Sequence, residues 1–239
     1  MSLKEKQKQY SEKAFEKIEK YDYENEYYHH FFRQIPFYKV QKILERNQLS
    51  LEGQKVFVAS CGSGIDLHYL KKFYNAKYFV SDIAQNSVDY VIKNFPDVEG
   101  QVEDNEALSF PDNHFDFSFV AASLHHLPRP IVGLYELLRV AKKGLIVIEP
   151  NDSFLTRIAT QLKLATEYEP SGNYVYRISK HDVERITKAH FLKCDVIRFF
   201  ATHRIAKSDK EFAFLKFLNN AANATIPMQG NYIVFLIKK

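Results

Sequence analysis

The sequence predicts a doubly wound α/β fold, with helices covering both faces of a mainly parallel sheet. Three observations carry that expectation. The stretch Val56-Phe57-Val58-Ala59-Ser60-Cys61-Gly62-Ser63-Gly64-Ile65-Asp66 passes from an apolar strand through a glycine-containing turn into helix-like sequence. Strand-like and helix-like segments then alternate, which implies parallel strands joined by right-handed crossovers. Finally, two later strand ends carry Asp82 and Asp104. A doubly wound sheet binds its ligands beyond the carboxyl ends of its strands. There a glycine turn lets the backbone come close to the ligand, and a carboxylate can accept hydrogen bonds from ribose hydroxyls.

The elements follow in order. Residues 3–20 read as a charged amphipathic helix with Tyr10, Ala14, Ile18 and Tyr21 spaced to share a face. An unusually aromatic stretch, 21–32, precedes a helix expected from Pro36 to Arg46. Strands are expected near 54–60, 77–81, 100–103, 115–121 and 143–149. In the fourth, Phe115, Phe117 and Phe119 alternate with Asp116, Ser118 and Val120. In the fifth, Leu145-Ile146-Val147-Ile148 is a continuous apolar run, as in a strand buried on both faces. Pro130 fits a first helical turn, with Ile131, Leu134, Tyr135 and Leu138 following at helical spacing. Beyond Pro150 the sequence predicts a helix over 153–166, a polar segment over 167–173 and a helix from an N-cap at Ser179 to about His190. Strands over 192–201 and 231–237 bracket a helix over 208–221. No repeat, low-complexity tract or long linker divides the chain, so a single domain over 1–239 is expected.

Composition narrows the class. With 46% hydrophobic and 26% charged residues the chain is ordinary for a globular protein. The net charge of +4 comes from Lys and Arg scattered among acids. Without a basic stripe, nucleic acid is an unlikely partner. Cys61 and Cys194 form no disulfide framework, and Cys61 reads as a small buried filler of its turn. No apolar run is long enough to span a membrane, and residues 1–20 lack a signal-peptide core. A cytoplasmic protein is the default expectation.

A lone Gly-x-Gly turn is a weak signal, and this one lacks the third glycine of the dinucleotide fingerprint. The succession of features is more specific. After Asp82 and Asp104 come Leu108-Ser109-Phe110-Pro111-Asp112-Asn113-His114-Phe115-Asp116, Leu124-His125-His126-Leu127, Glu136-Leu137-Leu138-Arg139-Val140 and Gly144-Leu145-Ile146-Val147-Ile148-Glu149-Pro150. From Val56 to Pro150 this order resembles the class I S-adenosylmethionine-dependent methyltransferases. It is most similar to the small-molecule group that includes the quinone-biosynthesis enzymes.

The resemblance implies a Rossmann-like, seven-stranded sheet with its last strand antiparallel. It divides the chain into a helical aromatic cap (1–50), a cofactor-binding core (51–150) and a C-terminal part with a substrate-side insertion (151–239). It implies S-adenosyl-L-methionine as cofactor and a small-molecule methyl acceptor as partner. The cofactor's methionine end would lie against Ser60, Cys61, Gly62 and Gly64. Asp82, with Ile83 beside it, would take the ribose diol. Asp104 and Asn105 would border the adenine, and Ala121 the amino-acid moiety. His126, with His125 as the alternative, would be the catalytic base or orienting group facing the methyl. No metal is expected. The resemblance departs at Val58 and Ser60, where the family usually has an acid and a glycine. Asp66 is a candidate to replace that acid on the cofactor's ammonium. The same departure favours a rival expectation, a catalytically idle relative kept for binding or scaffolding. A nicotinamide-dependent oxidoreductase fits less well, lacking the third glycine. So does an adenine-amino methyltransferase, since Ala-Ala-Ser-Leu stands where an Asn/Asp-Pro-Pro-aromatic motif would be.

Overall fold

The structure is a computed structural model that describes residues 2–15, 27–169, 172–202 and 206–239. Seven strands form one sheet: β1 Lys55–Ala59, β2 Lys77–Asp82, β3 Glu99–Val102, β4 Phe115–Ala121, β5 Ala141–Pro150, β6 Lys193–Phe199 and β7 Tyr232–Lys238. Their spatial order is β3-β2-β1-β4-β5-β7-β6. The first five strands pair in parallel, and β7 is antiparallel to both of its neighbours. The chain leaves β1 toward one edge for β2 and β3, then returns to the other side of β1 for β4. Between β1 and β4 the strand order reverses, and crossovers on either side leave a crevice at that point.

The helices are α1 Leu3–Phe15, α2 Tyr27–Arg46, α3 Ile65–Phe73, α4 Gln85–Asn94, α5 Pro130–Val140, α6 Phe154–Gln161, α7 Lys180–Ala189 and α8 Asp209–Thr225. They divide the apolar core into two layers. Val56, Val58, Val80, Phe119 and Ile146 face α2 and α3, where Phe37, Val40, Leu44 and Leu67 meet them. Phe57, Val120, Leu145, Val147 and Phe235 face α5 and α7, against Leu134, Leu137 and Val183. Side chains of one strand point alternately to opposite faces, so a strand feeding both layers must be apolar throughout.

Three details differ from the sequence expectation. Helix α2 begins at Tyr27, nine residues before Pro36, and runs through the proline. Proline contributes no N–H and normally marks a helix start, but here buried packing of Phe37, Val40, Ile43 and Leu44 holds the helix together. Helix α6 stops at Gln161 rather than reaching 166. Lys163 takes a left-handed φ of 57°, and the Leu164 N–H donates to the Ala159 carbonyl (2.8 Å), a Schellman-type ending. In β4 the strict alternation breaks: a bulge between Phe115 and Phe117 sends Phe115 to stack on Phe57 (4.8 Å), while Phe117 and Phe119 join the other layer. Helix α1 is described only to Phe15, so Ile18, Tyr21 and the expected residues 16–20 lie outside the described residues.

Candidate active site

A cavity of about 450 Å³ opens at the strand-order reversal, well within the range for small-molecule sites. Its floor is the turn after β1. Gly62, at φ 49°, has open space where a Cβ would stand, so the backbone itself forms the surface there. Ser60 holds a left-handed φ of 52°, rare for a residue with a side chain. Its Oγ accepts from Asn105 Nδ2 (2.8 Å), tying the turn after β1 to the loop after β3. Gly64, also expected in the site, instead starts α3 at φ 80° and does not line the cavity.

Asp82 ends β2 and is almost fully buried. Its Oδ1 accepts from the Ala84 N–H and its Oδ2 from the Gly62 N–H, both at 3.0 Å. Burial pushes its carboxyl up, and these backbone donors, with Ile83, work in the other direction. The carboxylate therefore fastens β2 to the glycine turn while Asp82 and Ile83 both line the cavity. Cys61 lines it too, and burial, with Asp82 nearby, pushes its thiol well up. A thiol held protonated is a poor nucleophile, which agrees with a packing role.

The loop after β3 supplies Asp104 and Asn105 to the wall. Lys4 of α1 reaches across from the other end of the chain to Asp104 (2.5 Å) and Glu106 (2.8 Å). Glu106 has a fully buried side chain and also accepts from the Arg129 backbone N–H and guanidinium. Burial works to raise the Glu106 carboxyl, but Lys4 and Arg129 outweigh it and hold it low. Thus α1 is fixed over this end of the cavity, with Tyr10 also on the wall. Phe32, Arg33, Pro36 and Phe37 of α2 cover the middle. The side chains of Tyr27, Tyr28 and Phe31 lie outside the described residues.

Val58 is buried in the core and does not reach the cavity, whereas Asp66 does. Asp66 keeps part of its surface open to the cavity, yet protein surrounds it, and its carboxyl is pushed up to about 7. Burial is the main cause; Arg33 opposes it and Glu149 adds to it.

The end of β4 and the turn after it bring Ala121, Ala122, Ser123 and His126 to the wall. The two histidines separate sharply. His125 is buried off the cavity, its Nδ1 on Glu149 Oε2 (2.6 Å). Glu149 is fully buried and also accepts the Ser123 and Leu124 backbone N–H groups (2.8 and 2.7 Å). Burial works against the His125 charge, but the Glu149 carboxylate outweighs it and raises the imidazole. His125 is thereby tied to Glu149 inside the fold rather than presented to the cavity. For His126, burial and the neighbouring His125 both lower the imidazole, so it stays neutral near pH 7. Asn173 fixes its tautomer. Asn173 Nδ2 donates to the His125 carbonyl (3.1 Å), which turns Oδ1 toward His126 Nδ1 (3.3 Å). An amide oxygen only accepts, so the proton sits on Nδ1 and Nε2 is the basic nitrogen.

Of the residues expected in the site, Ser60, Cys61, Gly62, Asp82, Ile83, Asp104, Asn105, Ala121 and His126 converge on one cavity; Gly64 and His125 do not line it. Sequence reasoning missed Lys4, Arg33, Glu169 and Asn173. The first two lie in helices without a motif, and the last two lie in the polar segment after α6. The strand-end position of Glu149 was the one available signal for its role.

Residues 58–148 match the family model described as a methyltransferase domain. No curated protein matches the chain. Among solved structures, a Haloferax volcanii methyltransferase complex with the Trm112 methyltransferase activator matches at 14% identity and TM-score 0.62, over 99% of this chain and 97% of that one. Magnesium protoporphyrin IX methyltransferase from Synechocystis, with bound SAH, matches at 14% identity and TM-score 0.60, over 96% and 93%. A SAM-dependent methyltransferase from Aquifex aeolicus matches at 20% identity and TM-score 0.52, over 85% and 88%. At these identities the likeness establishes the fold, which is the Rossmann-like class I methyltransferase fold.

Proposed function

We propose that the protein transfers a methyl group from S-adenosylmethionine to a small-molecule acceptor. The observation that carries this reading is the convergence on one cavity of the glycine turn, Asp82 and the Asp104–Asn105 loop, within a methyltransferase-domain match. The residues fit the cofactor. Asp82 would hold the ribose diol, since two backbone donors fix its carboxylate and leave lone pairs over. Asp104 and Asn105 would border the adenine, and Ser60, Cys61 and Gly62 the methionine end. Asp66 stands in for the acid missing at Val58 and would hold the ammonium, with Arg33 beside it for the carboxylate. Bound, the cofactor supplies a methyl group made electrophilic by its sulfonium.

The chain's own work is alignment, exclusion of water and proton handling. Helices α1 and α2 close the cavity above the turn, and holding two reactants in line is worth several kcal/mol of barrier. His126 takes the proton of a hydroxyl acceptor at Nε2. Its depressed pKa keeps it in the neutral form that a general base needs. Functional kinship with the quinone-biosynthesis enzymes is part of this proposal. The idle-relative reading is not favoured, because the missing acid has a replacement already in the wall.

Incubation with methyl-labelled S-adenosylmethionine and a panel of hydroxylated small molecules tests the proposal. His126→Ala should lower kcat by about 10²–10⁴ at unchanged cofactor affinity. Turnover of wild type should fall as pH drops through the lowered His126 pKa. A His126→Ala enzyme with wild-type turnover would assign catalysis to alignment alone.

A further inference from the structure

One carboxylate on the cavity wall has no work in the methyl-transfer reading. Asp82 is fixed by the Gly62 and Ala84 N–H groups, and Glu103 accepts from the Ser109 N–H (2.9 Å). Asp104 pairs with Lys4, and Asp66 is assigned to the cofactor's ammonium. Glu169, which also lines the cavity, is left over. Among the described residues its carboxylate accepts no hydrogen bond, and the one cationic group beside it is His125, with Nε2 3.9 Å from Glu169 Oε1. That is too long for a hydrogen bond, and His125 is already held by Glu149 at 2.6 Å. The backbone around Glu169 is tied down. The Glu169 N–H donates to the Asn173 carbonyl (2.9 Å), the Gly172 N–H to the Glu169 carbonyl (2.8 Å) and the Val175 N–H to the Glu167 carbonyl (2.9 Å). Asn173 Nδ2 then pins this turn to the His125 carbonyl (3.1 Å), and the His125 and His126 ring centroids are 4.2 Å apart. A placed carboxylate therefore shares the acceptor side of the cavity with the basic Nε2 of His126. The cations of the wall do not offset it. Lys4 is bonded to Asp104 and Glu106, and Arg33 is assigned to the cofactor's carboxylate. A wall of this sign repels an anionic acceptor and draws a cationic one.

We propose that Glu169 is a specificity-determining residue that binds a protonated amine, so that the acceptor is a hydroxylated amine; its role as acceptor rests on the methyl-transfer reading. The proposal keeps the hydroxyl acceptor of that reading and adds a charge to it. Carboxylate and ammonium form a charge-assisted hydrogen bond, which a partly enclosed site strengthens relative to open water. The amine is held at Glu169 while the hydroxyl lies at His126 Nε2. A protonated nitrogen has no lone pair with which to attack, so the amine orients the acceptor and the oxygen receives the methyl group.

The test is calorimetric titration of the full chain, saturated with S-adenosylhomocysteine, with three para-substituted phenols: tyramine, ethylphenol and hydroxyphenylpropionate. An aromatic probe suits a wall that carries Phe32, Tyr69 and Tyr232. Tyramine should bind at least about tenfold more tightly than ethylphenol, the scale of one charged hydrogen bond, and hydroxyphenylpropionate most weakly. Glu169→Gln keeps the size and loses the charge. It should bind tyramine and ethylphenol alike, with unchanged S-adenosylhomocysteine affinity as proof of an intact fold. Equal wild-type affinity for tyramine and ethylphenol, no binding of tyramine, or a folded Glu169→Gln that keeps the preference would each overturn the proposal. The wild-type comparison needs no variant, so it decides even where Glu169→Gln misfolds. Binding is read without turnover, so loss of the amine preference leaves the methyl-transfer reading standing. A chain that does not take S-adenosylhomocysteine contradicts that reading instead, and the same three probes are then titrated into the chain alone.

Discussion

At the scale of single residues, the departures from the family pattern are informative. Ser60 pays for its left-handed backbone but returns a hydrogen bond to Asn105. Ser60→Gly relieves about 1 kcal/mol of strain and removes a bond of about 1 kcal/mol. Urea denaturation should therefore show a stability within about 1 kcal/mol of wild type. Asp66, pushed up to about 7, makes a sharper prediction. A cofactor ammonium binds the ionised carboxylate, so binding at low pH must first remove its proton. Calorimetric affinity for S-adenosylhomocysteine should rise between about pH 6 and 8, and Asp66→Asn should flatten that rise. The His125–Glu149 pair carries stability of the opposite pH sense. A raised histidine pKa contributes fully below the unfolded value and is lost as pH rises through the folded one. Glu149→Gln should cost about 2–3 kcal/mol at pH 6 and less in alkali. The sequence flagged the histidines together, because adjacency in the chain carries no information about which side chain turns inward.

At the scale of elements, the strands were legible because apolar runs and glycine turns are local signals. The bulge in β4 was not: Phe115, Phe117 and Phe119 keep a period of two in sequence, and only pairing with β5 sends Phe115 to the other face. The start of α2 lies well before Pro36, since local propensity at a proline is outweighed by packing against the sheet. The contacts by which α1 covers the site were hidden, although a helical cap over 1–50 was expected, since Lys4 meets its partners a hundred residues away. Both helices line the cavity, so bound cofactor should order them. Hydrogen exchange over residues 3–15 and 27–38 should slow when S-adenosylhomocysteine is added, while exchange indifferent to ligand would assign these helices to packing alone.

For the whole molecule, the central claim is that the reversal of strand order between β1 and β4 creates a cofactor site whose floor is the Ser60–Gly62 turn and whose anchor is Asp82. The sequence placed both residues at strand ends, and folding brings the Gly62 N–H to the Asp82 carboxylate at 3.0 Å. The acceptor side was far less legible, because Glu169, which lines the cavity, and Asn173, which bonds to His126, come from a segment with no periodic pattern and take these places only through tertiary packing. Isothermal titration of S-adenosylhomocysteine into wild type, Asp82→Asn and Gly62→Val tests the claim most directly. Wild type should bind. Asp82→Asn should bind at least about tenfold more weakly, a loss of about 1.4 kcal/mol or more. Gly62→Val, whose side chain would project into the open cavity, should not bind although its circular dichroism stays native. Wild-type affinity in both folded variants would contradict the account, because the ligand would then pass neither over this turn nor beside this carboxylate.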